Sequence, residues 1–136
     1  MSNGLENKRV LVTAGASGIG AAAAAQFLAS GSRVHICDVN EAAIDSFLKT
    51  NPGATASIAD VSDESAVASL FDTVKQELGG LDILINNAGI AGPTAFTEDI
   101  DYADWQKCMD VNLGGAFLCA RQAIPMLKES KGGSII

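Results

Sequence analysis

The chain has 136 residues, of which 48% are hydrophobic and 18% charged, and its formal net charge is −7. This length and hydrophobic content suffice for one domain with a packed core. Nine basic residues against 16 acidic ones, with no basic cluster, argue against nucleic acid as a partner. Residues 1–8 lack a charged-then-apolar leader, and no apolar run approaches the roughly 20 residues of a membrane span. We therefore expect a cytoplasmic protein without a membrane partner.

Strands and helices are predicted to alternate along the whole chain. In chain order, we expect a strand at Arg9–Thr13, a helix at Ala21–Ser30, a strand at Arg33–Asp38, a helix at Glu41–Thr50, a strand at Ala54–Ile58, a helix capped by Ser62 or Asp63 and running to Leu78, a strand at Leu81–Asn86, helices at Asp101–Asn112 and Leu113–Lys128, and a strand at Ser134–Ile136. Such alternation favours right-handed crossovers and an α/β doubly wound (Rossmann) parallel sheet, incomplete at its C-terminal side.

The segment LDILIN at residues 81–86 is almost continuously apolar. This pattern is typical of a strand covered on both faces of a parallel sheet. We therefore predict that it is the central strand.

A glycine cluster, VTAGASGIG at residues 12–20, stands where a strand passes into a helix. Glycine at Gly15, Gly18 and Gly20 permits positive φ and lets a pyrophosphate approach the main chain, while the helix N-terminus supplies free N–H groups. This context predicts a dinucleotide-binding turn. The alternative is a glycine-rich loop that only reverses the chain.

Asp38 ends the second predicted strand, twenty positions after Gly18. A carboxylate there can accept hydrogen bonds from the adenosine ribose hydroxyls and would repel a 2′-phosphate. Neither Ser17 nor Val39 supplies a cation, so NAD is favoured over NADP. The alternative for Asp38 is a solvated strand end or a helix cap.

Several motifs occur together in a familiar order. They are Gly15-x-x-Gly18-x-Gly20, Asp38, Asp60-Val61, Asn86-Asn87-Ala88-Gly89 after the buried strand, and Asn112. Together they resemble the short-chain dehydrogenase/reductase family, from Lys8 to Ile136. The resemblance implies an NAD-dependent oxidoreductase that transfers a hydride between NAD(H) and a secondary alcohol or carbonyl substrate.

The resemblance also implies roles for individual residues. Asp60 would meet the adenine amino group, Val61 would pack on the ring, and Asn87, Ala88 and Gly89 would line the ribose and the middle of the dinucleotide. The alternative for the Asn-Asn-Ala-Gly segment alone is an Asx turn after a strand. The predicted cofactor-binding residues are Gly15, Ser17, Gly18, Ile19, Gly20, Asp38, Val39, Asp60, Val61, Asn87, Ala88 and Gly89.

Asn112 resembles the family asparagine that interrupts a long helix and frees a backbone carbonyl to hold a water in a proton relay. This resemblance implies a catalytic role. A plain helix-terminal asparagine is the alternative.

Two departures from the family pattern stand out. Where the family usually has glycine after the threonine, this chain has Ala14. If φ is positive there, alanine costs roughly 1–2 kcal/mol; if φ is negative, the methyl group need only clear the cofactor.

The second departure is the family's catalytic serine and Tyr-x-x-x-Lys. The one tyrosine, Tyr102, is followed four positions later by Gln106, and the serine would fall just beyond Ile136. We therefore expect residues 1–136 to be a single cofactor-binding domain that stops before the catalytic segment and is inactive alone. The resemblance further implies that the helix at Leu113–Lys128 packs against a partner subunit, giving a homodimer or homotetramer.

Other side chains are predicted to be structural. The sole histidine, His35, lies in a strand, and the three cysteines, Cys37, Cys108 and Cys119, are expected to be reduced and buried. Trp105 is expected in the core, as is Phe117. No metal site is predicted, because the aspartates at positions 99, 101 and 104 lack the glycine and terminal glutamate of a calcium loop and fit a solvated helix start better.

Two rival functions remain. A non-catalytic NAD-binding sensor or scaffold is disfavoured because half of a doubly wound sheet would be missing and Ile135-Ile136 would form an exposed apolar edge. A sugar-nucleotide epimerase or dehydratase fits less well, because the glycine turn of those relatives has a different spacing.

Overall fold

The computed structural model describes residues 3–136. Within these residues, five parallel strands form one sheet in the order β3-β2-β1-β4-β5. The strands are β1 Arg9–Thr13, β2 Arg33–Asp38, β3 Thr55–Ile58, β4 Ile83–Ile85 and β5 Ser134–Ile135; the helices are α1 Gly18–Ala29, α2 Glu41–Thr50, α3 Glu64–Leu78, α4 Tyr102–Met109 and α5 Gly115–Glu129. A 3-10 turn at Thr97–Asp99 precedes α4, and a π-helical turn at Asp110–Gly114 joins α4 to α5.

Helices cover both faces of the sheet, because the strands are apolar on both sides. Val10 and Val12 pack with residues of α1 and α2, whereas Leu11 between them packs with α3 and α5. Alternate side chains of one strand therefore belong to two separate cores. The predicted doubly wound α/β sheet is confirmed, and the sheet is partial.

The position of β4 differs from the prediction. The central strand of the five is β1, and β4 lies between β1 and β5. Leu84 is fully buried, while Ile83 and Ile85 are half-buried on the opposite face. The apolar run correctly indicated cover on both faces, but it does not specify the order of strands in the sheet.

Most element boundaries agree with the sequence prediction. Helix α1 begins three residues early, at Gly18, because Ser17 is extended (φ −149°, ψ 168°) and the glycine turn leads directly into the helix. Asp63, not Ser62, caps α3 by accepting a hydrogen bond from the Ala66 N–H at 2.9 Å. The predicted apolar face of α3 is buried throughout.

Two aromatic residues predicted for the core are exposed: Trp105 retains 48% and Phe117 59% of their accessible surface. The positions of α5 that face the sheet, at residues 115, 119, 123 and 127, recur every four residues, and Phe117 points away from them. Arg121 lies over the Phe117 ring, 5.4 Å from its centroid. Trp105 instead stacks on Tyr102, with the ring centroids 5.7 Å apart.

The cysteines divide into two kinds. Cys37 and Cys119 are fully buried, and burial raises the pKa of Cys37 to about 12 and that of Cys119 to about 11. Cys108 is only half-buried, so its expected place in the core is wrong. Its thiol lies 3.5 Å from the Ile90 carbonyl oxygen.

The sole histidine is a buried structural residue. The His35 Nδ1 lies 2.6 Å from the Thr55 hydroxyl and its Nε2 2.8 Å from the Ser57 hydroxyl, both on the adjacent strand β3. Burial lowers the pKa of His35 to about 4. The neutral imidazole therefore links two strands.

No helix in residues 3–136 combines the length and apolar character needed to cross a bilayer. In the same part of the chain, no three histidine, cysteine or acidic side chains are grouped as a metal site. The aspartates at positions 99, 101 and 104 are all exposed at the start of α4.

Candidate functional site

A cleft of about 340 Å³ opens at the carboxyl ends of the strands. Residues after β1, β2, β3 and β4 line one side of it, and α4 with the following turn lines the other. The lining residues are Ala14, Asp38, Val39, Ala59, Asp60, Val61, Ala88, Gly89, Ile90, Lys107 and Val111. The strand order changes direction between β1 and β4, and in open α/β sheets ligands bind at this topological switch point.

The three glycines of the turn serve different purposes. At Gly15, a Cβ would lie 2.7 Å from the Ile36 side chain, and at Gly20 it would collide with the Ala14 carbonyl oxygen. Gly18 has φ +55°, and the space around its absent side chain is open. Two glycines thus permit close packing, while the third leaves free space at the start of α1.

A buried hydrogen-bonded cluster holds the turn against the segment after β4. The Thr13 hydroxyl accepts from the N–H groups of Asn87 (3.0 Å) and Ala88 (2.9 Å) and donates to the Ile85 carbonyl. The Asn87 amide donates to the carbonyl oxygens of Thr13 and Ala14 at 3.1 and 3.2 Å. Asn87 therefore holds the backbone of the glycine turn in place and does not itself line the cleft.

Ala14 has a left-handed backbone, with φ +48°. Of the two alternatives considered from the sequence, positive φ therefore holds, and this alanine adopts a conformation that favours glycine. Its side chain lines the cleft, and its carbonyl is held by Asn87. The strain at Ala14 therefore lies at the corner where the turn meets the cleft.

Asp38 lies in the cleft and supports the glycine turn. One carboxylate oxygen accepts from the Ala16 N–H at 3.2 Å, and the other accepts from the Asn40 N–H at 3.1 Å. The cap of α2 is the Asn40 side chain, which accepts from the Ala43 N–H at 3.0 Å. Asp38 is therefore neither a helix cap nor a freely solvated strand end.

Asp60 and Val61 follow β3 and face the same cleft. The Asp60 Oδ1 accepts from the Ser62 N–H (2.9 Å) and hydroxyl (2.6 Å). Within residues 3–136, the Oδ2 atom has no hydrogen-bond partner. Val61 is buried against Gly115, where a Cβ would lie 2.5 Å from the valine side chain.

Asn112 lies in the π-helical turn between α4 and α5. Its side-chain oxygen accepts from the Ile90 N–H at 2.7 Å, and its amide donates to the Ile90 carbonyl at 2.9 Å. This pair of bonds ties the helix interruption to the chain that leaves β4. The predicted interruption of the long helix at Asn112 is present.

The predicted site residues fall into two groups. Those that line the cleft are Asp38, Val39, Asp60, Val61, Ala88 and Gly89. The others lie in the glycine turn (Gly15, Ser17, Gly18, Ile19 and Gly20) or hydrogen-bond to lining residues (Asn87 to Ala14 and Asn112 to Ile90). Ser17, Gly18 and Ile19 are exposed where α1 begins.

Five lining residues were not among the predicted site residues: Ala14, Ala59, Ile90, Lys107 and Val111. The spacing of four between Lys107 and Val111 places them on one helix face, which is a local signal. Which face of α4 turns toward the sheet depends on the Asn112 contact with Ile90, and that contact joins residues 22 positions apart.

The fold is a doubly wound α/β sheet with a cleft at its topological switch point, and comparison with known proteins identifies the class. The family model described as short chain dehydrogenase matches residues 8–136. The chain belongs to this family.

Individual relatives include cis-4-hydroxycyclohexanecarboxylate dehydrogenase of Sinomonas cyclohexanicum, which is 35% identical over 100% of this chain and 56% of its own length. D-threitol dehydrogenase of Mycolicibacterium smegmatis is 36% identical over 97% of this chain and 52% of its own length. The crystal structure of levodione reductase superposes with a TM-score of 0.90 and 31% identity, covering 96% of this chain and 53% of that one. The chain spans about half the length of these relatives.

Proposed function

We propose that this chain forms the cofactor-binding part of an NAD-dependent oxidoreductase that acts on a secondary alcohol or carbonyl substrate. The observation that carries the proposal is the position of Asp38, whose carboxylate reaches both the cleft and the glycine turn. Relatives named as dehydrogenases and reductases support the reaction class.

The residues present fit a dinucleotide. Asp38 would accept from the ribose hydroxyls, and the unpartnered oxygen of Asp60 would accept from the adenine amino group. The open space at Gly18, where α1 begins without an acidic residue in its first turn, suits the pyrophosphate. Val39, Val61 and other apolar lining residues suit a flat ring.

A bound nicotinamide ring supplies the hydride acceptor or donor. The chain's own residues have to position it and to manage the proton at the substrate oxygen. Asn112, fixed at the helix interruption, is the residue of residues 1–136 that we assign to the proton relay. These residues contain no Tyr-x-x-x-Lys, so we expect them to bind the dinucleotide without steady turnover.

Binding of NADH and NADPH, measured by cofactor fluorescence, tests the cofactor assignment. We expect NADH to bind at least about ten-fold more tightly, because a carboxylate opposes a 2′-phosphate. Asp38→Asn retains an oxygen for the Ala16 N–H but removes the charge, so it should reduce this preference. Asp45→Asn, an exposed substitution on α2 away from the cleft, should leave it unchanged. Equal affinity for both cofactors in the unsubstituted chain would refute the NAD assignment, and steady NAD reduction with an alcohol would refute the expected inactivity.

We also propose that the complete protein is a cytoplasmic homodimer or homotetramer. Leu113, Phe117 and Ile124 are exposed along one side of α5 and its preceding turn, and an apolar stripe of this kind suits a partner subunit. Phe117→Glu should lower the molar mass measured by light scattering. An unchanged mass would exclude this helix face as the interface.

A further inference from the structure

Lys107 is the only basic residue lining the cleft within the part of the chain that the structure describes. It lies on α4, one turn before Val111, which also lines the cleft. Its neighbours on the helix are already engaged: Gln106 accepts from the Tyr102 hydroxyl and donates to Asp110, and Cys108 contacts Ile90. Lys107 itself forms no ion pair or hydrogen bond in residues 3–136, which leaves its ammonium group available.

The charges around the cleft are complementary to one end of a dinucleotide. Asp38 and Asp60 provide acceptors on the sheet side, and Lys107 provides a donor on the helix side. Neither carboxylate pairs with Lys107, although all three side chains border one cleft. A ligand can therefore lie between the acceptors and the donor.

Adenine presents a matching pattern at its edge. Its amino group is a donor, and ring nitrogens on either side of it are acceptors. Asp60, which is only an acceptor when ionised, suits the amino group, whereas a lysine ammonium, which is only a donor, suits a ring nitrogen. Ile90 and Val111 add apolar surface beside Lys107 for the face of the ring.

We propose that Lys107 is a cofactor-binding residue that holds the adenine end of the dinucleotide by donating a hydrogen bond to the ring. This role rests on the proposed function of the cleft. In this role, helix α4 contacts the dinucleotide directly, as the residues at the carboxyl edge of the sheet do.

Fluorescence titration of NADH with Lys107→Met tests the role. We expect an affinity loss of about three- to ten-fold, the effect of one partly exposed charge-assisted hydrogen bond. Lys107→Arg should retain most of the affinity. Lys75→Met removes the same charge from an exposed position on α3 that does not line the cleft, and should bind NADH normally.

Two competitors locate the contact. 5′-AMP and nicotinamide mononucleotide each carry one ribose phosphate but differ in the base, so Lys107→Met should weaken competition by AMP and leave that by the mononucleotide unchanged. Equal losses for both competitors, a loss confined to NADPH, or unchanged NADH affinity would overturn the role of Lys107 while leaving the proposed function intact. Failure of the unsubstituted chain to bind NADH or NADPH would overturn both.

Discussion

Two buried polar clusters stabilise the same sheet but differ in their relation to the cleft. Thr13 and Asn87 join β1 to the segment after β4 at the carboxyl edge, next to the glycine turn. His35, Thr55 and Ser57 join β2 to β3 away from the cleft. In residues 3–136, no buried side-chain nitrogen or oxygen lacks a partner. A polar cluster whose hydrogen bonds are all formed therefore contributes to a ligand site only when it holds the backbone next to that site in place.

The largest expected effect is at Thr13. Thr13→Val leaves the Ala88 N–H without its acceptor and leaves the Asn87 N–H with the Ile85 carbonyl alone, so we expect a loss of about 3–4 kcal/mol in the free energy of unfolding. Urea denaturation measures it, and NADH affinity should also fall because the turn loosens. Thr73→Val, at a half-buried helix position, should cost less than about 1 kcal/mol. Similar losses for both variants would contradict the special role of the cluster.

The histidine cluster should produce a pH effect on stability without an effect on the cleft. The pKa of His35 is lowered from 6.5 to about 4, so the unfolded chain binds more protons between these values. The contribution of neutral His35 to stability is thus fully present above pH 6.5, and the free energy of unfolding falls by about 3 kcal/mol as the pH drops to about 4.

Urea denaturation at several pH values checks this expectation. His35→Gln, which cannot titrate but can still bond hydroxyl groups, should lose the slope between pH 6.5 and 4 and keep NADH affinity at pH 7. Asp63 and Asp82, whose pKa values are lowered by hydrogen bonds, lose their contributions mainly as the pH falls through and below their ordinary 3.8, so they overlap this interval only at its lower end. A slope that persists in the variant would assign it to other groups.

A smaller effect, which is stabilising instead of destabilising, is expected at Ala14 at the corner of the cleft. Ala14→Gly removes the left-handed strain of φ +48° but adds freedom to the unfolded chain, for a net stabilisation of about 0.5–1 kcal/mol. Thermal denaturation should show a higher midpoint. Ala22→Gly, at an exposed position inside α1, should instead destabilise by about 1 kcal/mol. A lower midpoint for Ala14→Gly would show that the methyl group stabilises the turn.

The smallest effect on stability is expected at Asn112, whose exposed side chain bonds the backbone of Ile90 and the Cys108 sulfur. Asn112→Ala should cost less than about 1 kcal/mol of stability. It should also weaken NADH binding a few-fold, because Ile90 and helix α4 would no longer be held in their relative positions. Asn51→Ala, which removes a hydrogen bond at the end of α2, serves as the control. An NADH affinity equal to that of the control would show that helix α4 is positioned without Asn112.

The sequence predicts the strand side of the cleft better than the helix side. Asp38 ends β2 and Val39 follows it, while Asp60 and Val61 come shortly after β3, and parallel strands bring their carboxyl ends to one edge. Their meeting in one cleft follows from the topology. Lys107 and Val111 lie on a helix whose docking depends on distant contacts, so local periodicity could not place them.

By itself, the sequence determined the order and type of the elements, the two-sided burial of the strands and the glycine turn at the start of α1, because these depend on local periodicity and backbone freedom. Only the tertiary structure decided that Ala14 is left-handed, that Trp105 and Phe117 are exposed, and that Lys107 lines the same cleft as Asp38 and Asp60. Those features depend on contacts between residues far apart in the chain, and such contacts override local preference.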